Sequence, residues 1–113
     1  MSTDLFTVRP DDLIDLAENR MDWRHIRHVP VEDNDGHLLG ILSHRDLLHQ
    51  LSRDSKQRPP VSALMKSAPI TVTPGTPALD GLRLLVDHRI GCLPVVGEDG
   101  TLLGIVTASD FLR

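Results

Sequence analysis

The sequence predicts an α+β fold built from two β-α-β-β-α repeats, and three observations support this prediction. Leu38–Asp46 recurs as Leu102–Asp110, sixty-four positions later and without a gap. Short runs of branched apolar residues alternate with patterns of helical period. Aspartate-glycine pairs separate consecutive apolar runs in each half, as expected for hairpin turns. Because two repeats are too few for a solenoid, we expect the halves to pack on each other.

The composition excludes several classes of protein. It is that of an ordinary globular domain, 40% hydrophobic and 25% charged, with a net charge of −4 that argues against a general nucleic-acid binder. No apolar run approaches the ~20 residues of a membrane span. The single Cys92 rules out an internal disulfide and a cysteine-based zinc cluster. It fits a reducing compartment, so we predict a cytoplasmic protein with no membrane insertion.

The first elements of each repeat are a short extended segment and a helix. Phe6–Val8 and Ile70–Val72 read as extended segments that end in a proline turn. Residues 11–23 read as a helix, with acidic residues in its first turn and one apolar face. In the second repeat we predict Thr76 as the N-cap and Pro77 as the first helical residue.

A hairpin and a second helix complete each repeat. The first strand of the hairpin begins at Val29 in repeat 1 and at Leu93 in repeat 2. The second strand ends at Ser43 in repeat 1 and at Thr107 in repeat 2. Both hydroxyl residues are good N-caps, and an aspartate follows three positions later. A strand that feeds a helix in this way directs free N–H groups and the helix dipole towards an anion. The alternative is that each Ser/Thr-x-x-Asp is only a capping box.

The repeats set the expected boundaries. We expect repeat 1 over residues 1–53, a polar linker over 54–60 and repeat 2 over 61–113. Val61–Met65 is predicted as a single helical turn that introduces the second half. Repeat 1 lacks that opening, and the last helix is shorter than its partner. We therefore expect a module taken from a longer protein that carries a catalytic, transport or signalling region.

The repeated motifs resemble the CBS domain, named after cystathionine β-synthase. The resemblance rests on Pro94-Val95-Val96, Gly100 and the run Leu102-x-Gly104-Ile105-Val106-Thr107-x-x-Asp110, together with Val61-x-x-Leu64-Met65 and Ile70-Thr71-Val72-x-Pro74. It covers nearly the whole chain, which looks like a tandem CBS pair, or Bateman module. The resemblance implies that the two repeats pack about a pseudo-two-fold axis and leave two clefts for ligands.

The resemblance also implies the ligand and its residues. The motif aspartate would hold the ribose of an adenosine ligand, and the hydroxyl residue would face its phosphates. The first site would comprise Thr7, Val8, Val29, Pro30, Ser43, His44, Arg45 and Asp46, and the second Thr71, Val72, Leu93, Pro94, Thr107 and Asp110. Only the first motif carries basic residues between hydroxyl and aspartate, so we expect phosphate to prefer the first site.

The expected function is regulatory. We expect a module that senses AMP, ADP, ATP or S-adenosylmethionine, controls an attached or partner protein, and forms a homodimer through helix faces such as that of Leu79, Leu82 and Val86. No nucleophile-base-acid set or Walker-type phosphate loop is present, so no enzymatic activity and no required cofactor are predicted. One alternative is a ligand-free dimerisation module. Another is a metal protein that uses histidines such as His25 and His28, although their spacing predicts no metal site.

Overall fold

The computed structural model describes Thr3, residues 5–53 and residues 58–111. Its helices are α1 (Ile14–Arg24), α2 (His44–Arg53), α3 (Ala78–His88) and α4 (Ala108–Phe111), with a 3-10 turn at Val61–Ala63. Its strands are β1 (His28–Glu32), β2 (Leu38–Ser43), β3 (Lys66–Ser67), β4 (Cys92–Val96) and β5 (Leu102–Thr107). The order of helices and strands confirms the predicted α+β fold in two repeats.

The chain divides into two compact units. The first unit is Phe6–Ala68, and its antiparallel sheet has the order β1-β2-β3. The second unit, built by the described residues of Met1–Leu5 and by those from Pro69 onward, has the antiparallel pair β4-β5. The hairpins share one register, since His28 pairs with Ser43 where Cys92 pairs with Thr107. The internal repeat is therefore retained at the level of individual residue pairs.

The two short extended segments are attached to the sheets by single bridges. Val8 forms an isolated parallel bridge with Val31, and Val72 forms the equivalent bridge with Val95. The Val8 N–H donates to the Pro30 carbonyl at 3.1 Å, and the Val72 N–H donates to the Pro94 carbonyl at 3.0 Å. The predicted segments are extended, but each is too short to form a strand of its own.

Two predicted helix starts are corrected by the structure. The first helix begins at Ile14 rather than at residue 11, because the Asp12 carboxylate instead accepts a hydrogen bond from the Arg9 N–H at 2.8 Å and closes a turn. Thr76 is not an N-cap. Its hydroxyl accepts a hydrogen bond from the Thr73 N–H at 3.1 Å, and α3 begins at Ala78 after Pro77.

The segment after the linker completes the first unit. The predicted helical turn is present as the 3-10 turn, but Val61 is fully buried in the first unit's core instead of introducing the second half. Further along, Lys66 pairs with Ile41 and Ser67 with Gly40. A Cβ atom on Gly40 would lie 2.7 Å from the Lys66 carbonyl oxygen, so glycine is needed for this close approach. Of the predicted linker, residues 54–57 lie outside the described residues.

Both cores are aliphatic, as the shortage of aromatic residues requires. The buried residues of the first core are Val8, Ile14, Ala17, Met21, Val29, Val31, Leu42, Leu47 and Val61. Those of the second core are Val72, Leu85, Leu93 and Val95. At about 25 cal/mol per Å² of apolar surface, burial of such side chains is the main stabilising contribution to each unit.

Candidate functional site

The first Ser-x-x-Asp motif lies where β2 runs directly into α2. The Ser43 hydroxyl accepts a hydrogen bond from the Asp46 N–H at 3.1 Å, so Ser43 caps the helix. The His44 N–H donates to the Arg27 carbonyl at 2.7 Å and ties the helix start to the residue before β1. Within the described part of the chain, no hydrogen bond to the exposed Asp46 carboxylate is present. That carboxylate is available to accept hydrogen bonds from a ligand.

Basic and imidazole side chains gather beside this motif. A surface pocket of about 360 Å³ lies at the start of α2 and is lined by Met21, Asp22, His25, Ile26, Arg27 and His44. His25 ends α1 in the left-handed conformation, with φ of 55°. Arg45 is exposed in the first turn of α2. The Asp22 carboxylate also lines this pocket, and the guanidinium groups of Arg27 and Arg45 beside a helix N-terminus suit a phosphate group.

His28 is in the electrostatic environment of the same motif. Partial burial lowers the pKa of His28 below its ordinary value, and the Arg27 guanidinium lowers it further. The Asp46 carboxylate acts in the opposite direction and raises the pKa. Because the two lowering effects prevail, His28 is neutral at pH 7.

The other predicted residues of the first site are less accessible. The Thr7 hydroxyl donates a hydrogen bond to a Glu32 carboxylate oxygen at 2.8 Å. Val8, Val29 and Pro30 are buried in the first unit. The structure therefore brings Ser43, His44, Arg45 and Asp46 together at one surface and leaves the predicted apolar wall inside the core.

The second motif has a different hydrogen-bond pattern. The Asp110 carboxylate accepts a hydrogen bond from the Thr107 N–H at 2.8 Å and lies 3.4 Å from the Thr107 hydroxyl oxygen. The Thr107 hydroxyl is also 2.9 Å from the Ser109 hydroxyl. Asp110 thus acts as a local cap through one carboxylate oxygen, as the capping-box alternative describes.

An apolar groove lies beside the second motif, and we call it the α3 groove. It has a volume of about 320 Å³ and is lined by Val72, Thr73, Pro74, Thr76, Pro77, Ala78, Gly81, Leu93, Val95, Val106 and Asp110. Three predicted site residues, Val72, Leu93 and Asp110, line it, whereas Thr71, Pro94 and Thr107 do not. Sequence reasoning missed Ala78 and Gly81, although their small size at core-facing helix positions was a usable signal.

The remaining reactive side chains have structural roles. Cys92 is buried, and burial raises the pKa of its thiol to about 11, which fits the prediction of a packed cysteine. Asp33, Asp35 and His37 offer ligand atoms within 4.8 Å of one another, away from His25 and His28. They belong to the β1–β2 turn, where the Asp33 carboxylate accepts hydrogen bonds from the N–H groups of Asp35 and His37. The bond from His37 is the main cause of the lowered pKa of Asp33.

Among the described residues, none of the helices combines the length and the apolar composition needed to cross a membrane.

A family model and two curated relatives match this sequence. The CBS domain model matches residues 1–53 and 61–113. A CBS domain-containing protein of Dictyostelium discoideum is 36% identical, and the match covers 99% of this chain and 85% of the relative. Inosine-5′-monophosphate dehydrogenase of Mycobacterium tuberculosis is 38% identical over 100% of this chain. This chain spans 21% of the length of that enzyme.

Solved structures of high similarity contain adenosine compounds. CBSX2 of Arabidopsis thaliana, in complex with AMP, has a TM-score of 0.86 and 31% identity, with 97% of this chain and 86% of that chain covered. The CBS domain pair of protein MJ0100, in complex with 5′-methylthioadenosine and S-adenosyl-L-methionine, has a TM-score of 0.88 and 25% identity. That match covers 100% of this chain and 89% of the other.

Proposed function

The chain belongs to the CBS domain family, and from this premise we propose that it senses an adenosine-containing ligand and regulates an attached or partner protein. The observation that carries the proposal is the exposed Asp46 carboxylate, without a hydrogen bond among the described residues, beside the start of α2. A carboxylate in that state can accept hydrogen bonds from both hydroxyls of a ribose. The related structures with AMP and with S-adenosylmethionine support an adenosine ligand.

The surroundings of Asp46 favour a ligand with a phosphate. Arg27 and His44 line the adjacent pocket, and Arg45 lies one residue from the aspartate. A phosphate bound there would interact with the guanidinium of Arg27 through strong, charge-assisted hydrogen bonds. We therefore propose AMP, ADP or ATP for this site in preference to S-adenosylmethionine, which carries no phosphate.

The second motif is proposed to contribute little to nucleotide binding. Asp110 is engaged by Thr107, and the residues between them are Ala108 and Ser109, which carry no charge. The Oδ2 atom of Asp110 accepts the capping bond, so fewer of its acceptor positions remain for a ribose. We propose that Ser43, His44, Arg45 and Asp46 hold the ligand and that Thr107 and Asp110 close their own helix.

The regulatory role follows from the family and not from catalytic groups. The chain matches only the CBS region of inosine-5′-monophosphate dehydrogenase, about a fifth of that enzyme. We propose that this chain likewise acts on a catalytic, transport or signalling region, in the same or another polypeptide, and turns over no substrate itself. The buried thiol of Cys92 is compatible with a reducing, cytoplasmic compartment.

The exposed face of α3 favours dimerisation as an additional function. Leu79 and Val86 lie two turns apart on this helix and are 58% and 65% exposed. Leu82 lies between them and is partly exposed. Apolar residues that recur along one exposed helix face commonly mark a protein interface. We propose that this face pairs with its equivalent in a second copy of the chain.

Calorimetry with AMP, 2′-deoxy-AMP and S-adenosylmethionine tests the nucleotide proposal. We expect AMP to bind and Asp46→Asn to weaken it about ten- to a hundredfold, since a hydrogen bond to a charged group contributes about 1.5–3 kcal/mol. The wild-type protein should bind 2′-deoxy-AMP more weakly than AMP by a similar factor. The Asp46→Asn variant should bind the two nucleotides with nearly equal affinity. Asp110→Asn is the matched control and should bind AMP nearly as the wild type does. Equal AMP affinity in wild type and Asp46→Asn would refute the site.

A further inference from the structure

We propose that the α3 groove is a docking site for a short apolar turn segment of a partner protein, anchored by one side chain of leucine size. The argument begins in the first unit, where the structure shows such a segment in place. There Val61 is fully buried, in the same core cluster as Val8 and Ile14, and it belongs to the 3-10 turn. The preceding Pro60 forms an antiparallel bridge with Leu13, the residue before α1.

Three backbone hydrogen bonds hold that segment. The Val61 N–H donates to the Asp12 carbonyl at 2.7 Å, and the Ser62 N–H donates to the Pro10 carbonyl at 2.9 Å. In the other direction, the Ile14 N–H donates to the Pro59 carbonyl at 3.3 Å. These bonds do not depend on side-chain identity, so the first unit recognises the backbone of a turn and buries one apolar anchor.

The second unit has the matching receptor surface without such a segment among the described residues. The internal repeat places Thr76, Pro74 and Ala78 where the first unit has Asp12, Pro10 and Ile14. Across the described part of the chain, no backbone hydrogen bond reaches the carbonyls of Thr76 or Pro74 or leaves the N–H of Ala78. All three residues line the α3 groove. The groove therefore presents two acceptors and one donor in the arrangement that binds a turn in the first unit.

The size of the groove specifies the anchor. Ala78, Gly81 and Val106 each replace a larger counterpart, namely Ile14, Ala17 and Leu42 of the first unit. The smaller side chains leave more room than Val61 fills in the first core. A leucine-sized anchor should consequently bind better than valine, because an additional buried methylene strengthens binding about fourfold. The walls at Val72, Leu93 and Val95 are apolar, so the anchor should be uncharged.

The test uses blocked synthetic peptides with the sequence of residues 59–66 and the full-length protein in an amide NMR titration. The peptide with Val61→Leu should shift the amides of Val72, Ala78 and Val106 and bind about fourfold tighter than the unaltered peptide. The peptide with Val61→Asp should cause no shifts at about 1 mM, which corresponds to a Kd well above about 1 mM. Shifts confined to the first unit, equal binding of all three peptides, or groove shifts caused by AMP and not by peptide would each overturn the proposal.

A protein variant provides a second measurement. Ala78→Trp should fill the groove and weaken binding of the Val61→Leu peptide at least tenfold. Arg83→Trp, on the exposed side of α3, should leave the affinity for that peptide unchanged. Thermal unfolding of both variants shows whether they are folded. If Ala78→Trp does not fold, the ranking of the three peptides on the wild-type protein still decides the question.

Discussion

The Asp110 carboxylate lies 2.8 Å from the backbone nitrogen of Thr107, and the equivalent pair in the first unit, Asp46 and Ser43, has the reverse arrangement. In the first unit the hydroxyl residue accepts from the aspartate's N–H, and in the second the aspartate accepts from the hydroxyl residue's N–H. Two copies of one motif thus satisfy different halves of a capping box. The Asp46 carboxylate is therefore not used to cap its helix, whereas the Asp110 carboxylate is.

This difference predicts opposite effects on stability and on binding. Asp110→Ala should destabilise the protein by about 1 kcal/mol, because it removes a helix cap. Asp46→Ala should change the free energy of unfolding by less than about 0.5 kcal/mol, because its carboxylate forms no local cap. Urea unfolding without ligand measures both values. A larger loss for Asp46→Ala than for Asp110→Ala would contradict the hydrogen-bond assignment.

His28 predicts a pH dependence of stability. Its pKa is lowered in the folded protein, so between that pKa and about 6.5 the unfolded chain binds more protons than the folded chain. Stability should therefore fall as the pH decreases through about 6.5 and level off, for this group, below the folded pKa. His28→Asn should reduce the loss between pH 7 and 5, measured by thermal unfolding. His49→Asn, on the exposed surface of α2, is the control and should keep the wild-type slope.

The buried thiol predicts slow chemical modification. Because burial raises the pKa of Cys92 to about 11, nearly all of the thiol is protonated at pH 8, and its side chain is also shielded from reagents. A disulfide reagent should react at least about a hundredfold more slowly with the native protein than with the protein in urea. Comparable rates under both conditions would show that Cys92 is accessible.

The buried side chain of Val61 predicts a loss of stability when it is truncated. Val61→Ala should destabilise the first unit by about 2 kcal/mol through lost burial and a residual cavity. Val86→Ala removes the same atoms from an exposed position and should cost less than about 0.5 kcal/mol in the monomer. Urea unfolding at low protein concentration compares the two. Equal losses would mean that the 3-10 turn at Val61–Ala63 does not belong to the first core.

The face of α3 predicts a concentration-dependent dimer. Val86→Glu places a charge on the exposed apolar face of α3 and should abolish dimerisation without unfolding the protein. Sedimentation at micromolar concentration should then show a 12.5 kDa species for the variant and twice that mass for the wild type. Leu48→Glu, an equally apolar exposed position on α2, should remain dimeric. A monomeric wild type would exclude this interface.

Local patterns in the sequence predicted the elements but not their long-range partners. Hairpin strands, both glycine turns and the starts of α2 and α4 follow from residue periodicity and turn chemistry. The placement of Val61 does not, because an apolar residue in a turn is equally compatible with either neighbouring core. The position of Thr76 before a proline predicts a helix cap. In the structure its hydroxyl instead accepts a hydrogen bond from the Thr73 N–H, which the sequence pattern does not indicate. Which aspartate remains available likewise depends on a rotamer that no sequence pattern encodes.

Residues 61–67 belong to the first unit although they follow the linker, and this has a consequence for how such a chain could arise or be divided. A gene segment cut at the repeat boundary would encode a first half without its buried valine and its third strand. The division that keeps the first unit whole falls after Ala68, which has a left-handed φ of 49°. Duplication, recombination or insertion of other sequences would thus be tolerated between residues 68 and 69, where the polypeptide leaves one core, and would be harmful eight residues earlier, between residues 60 and 61.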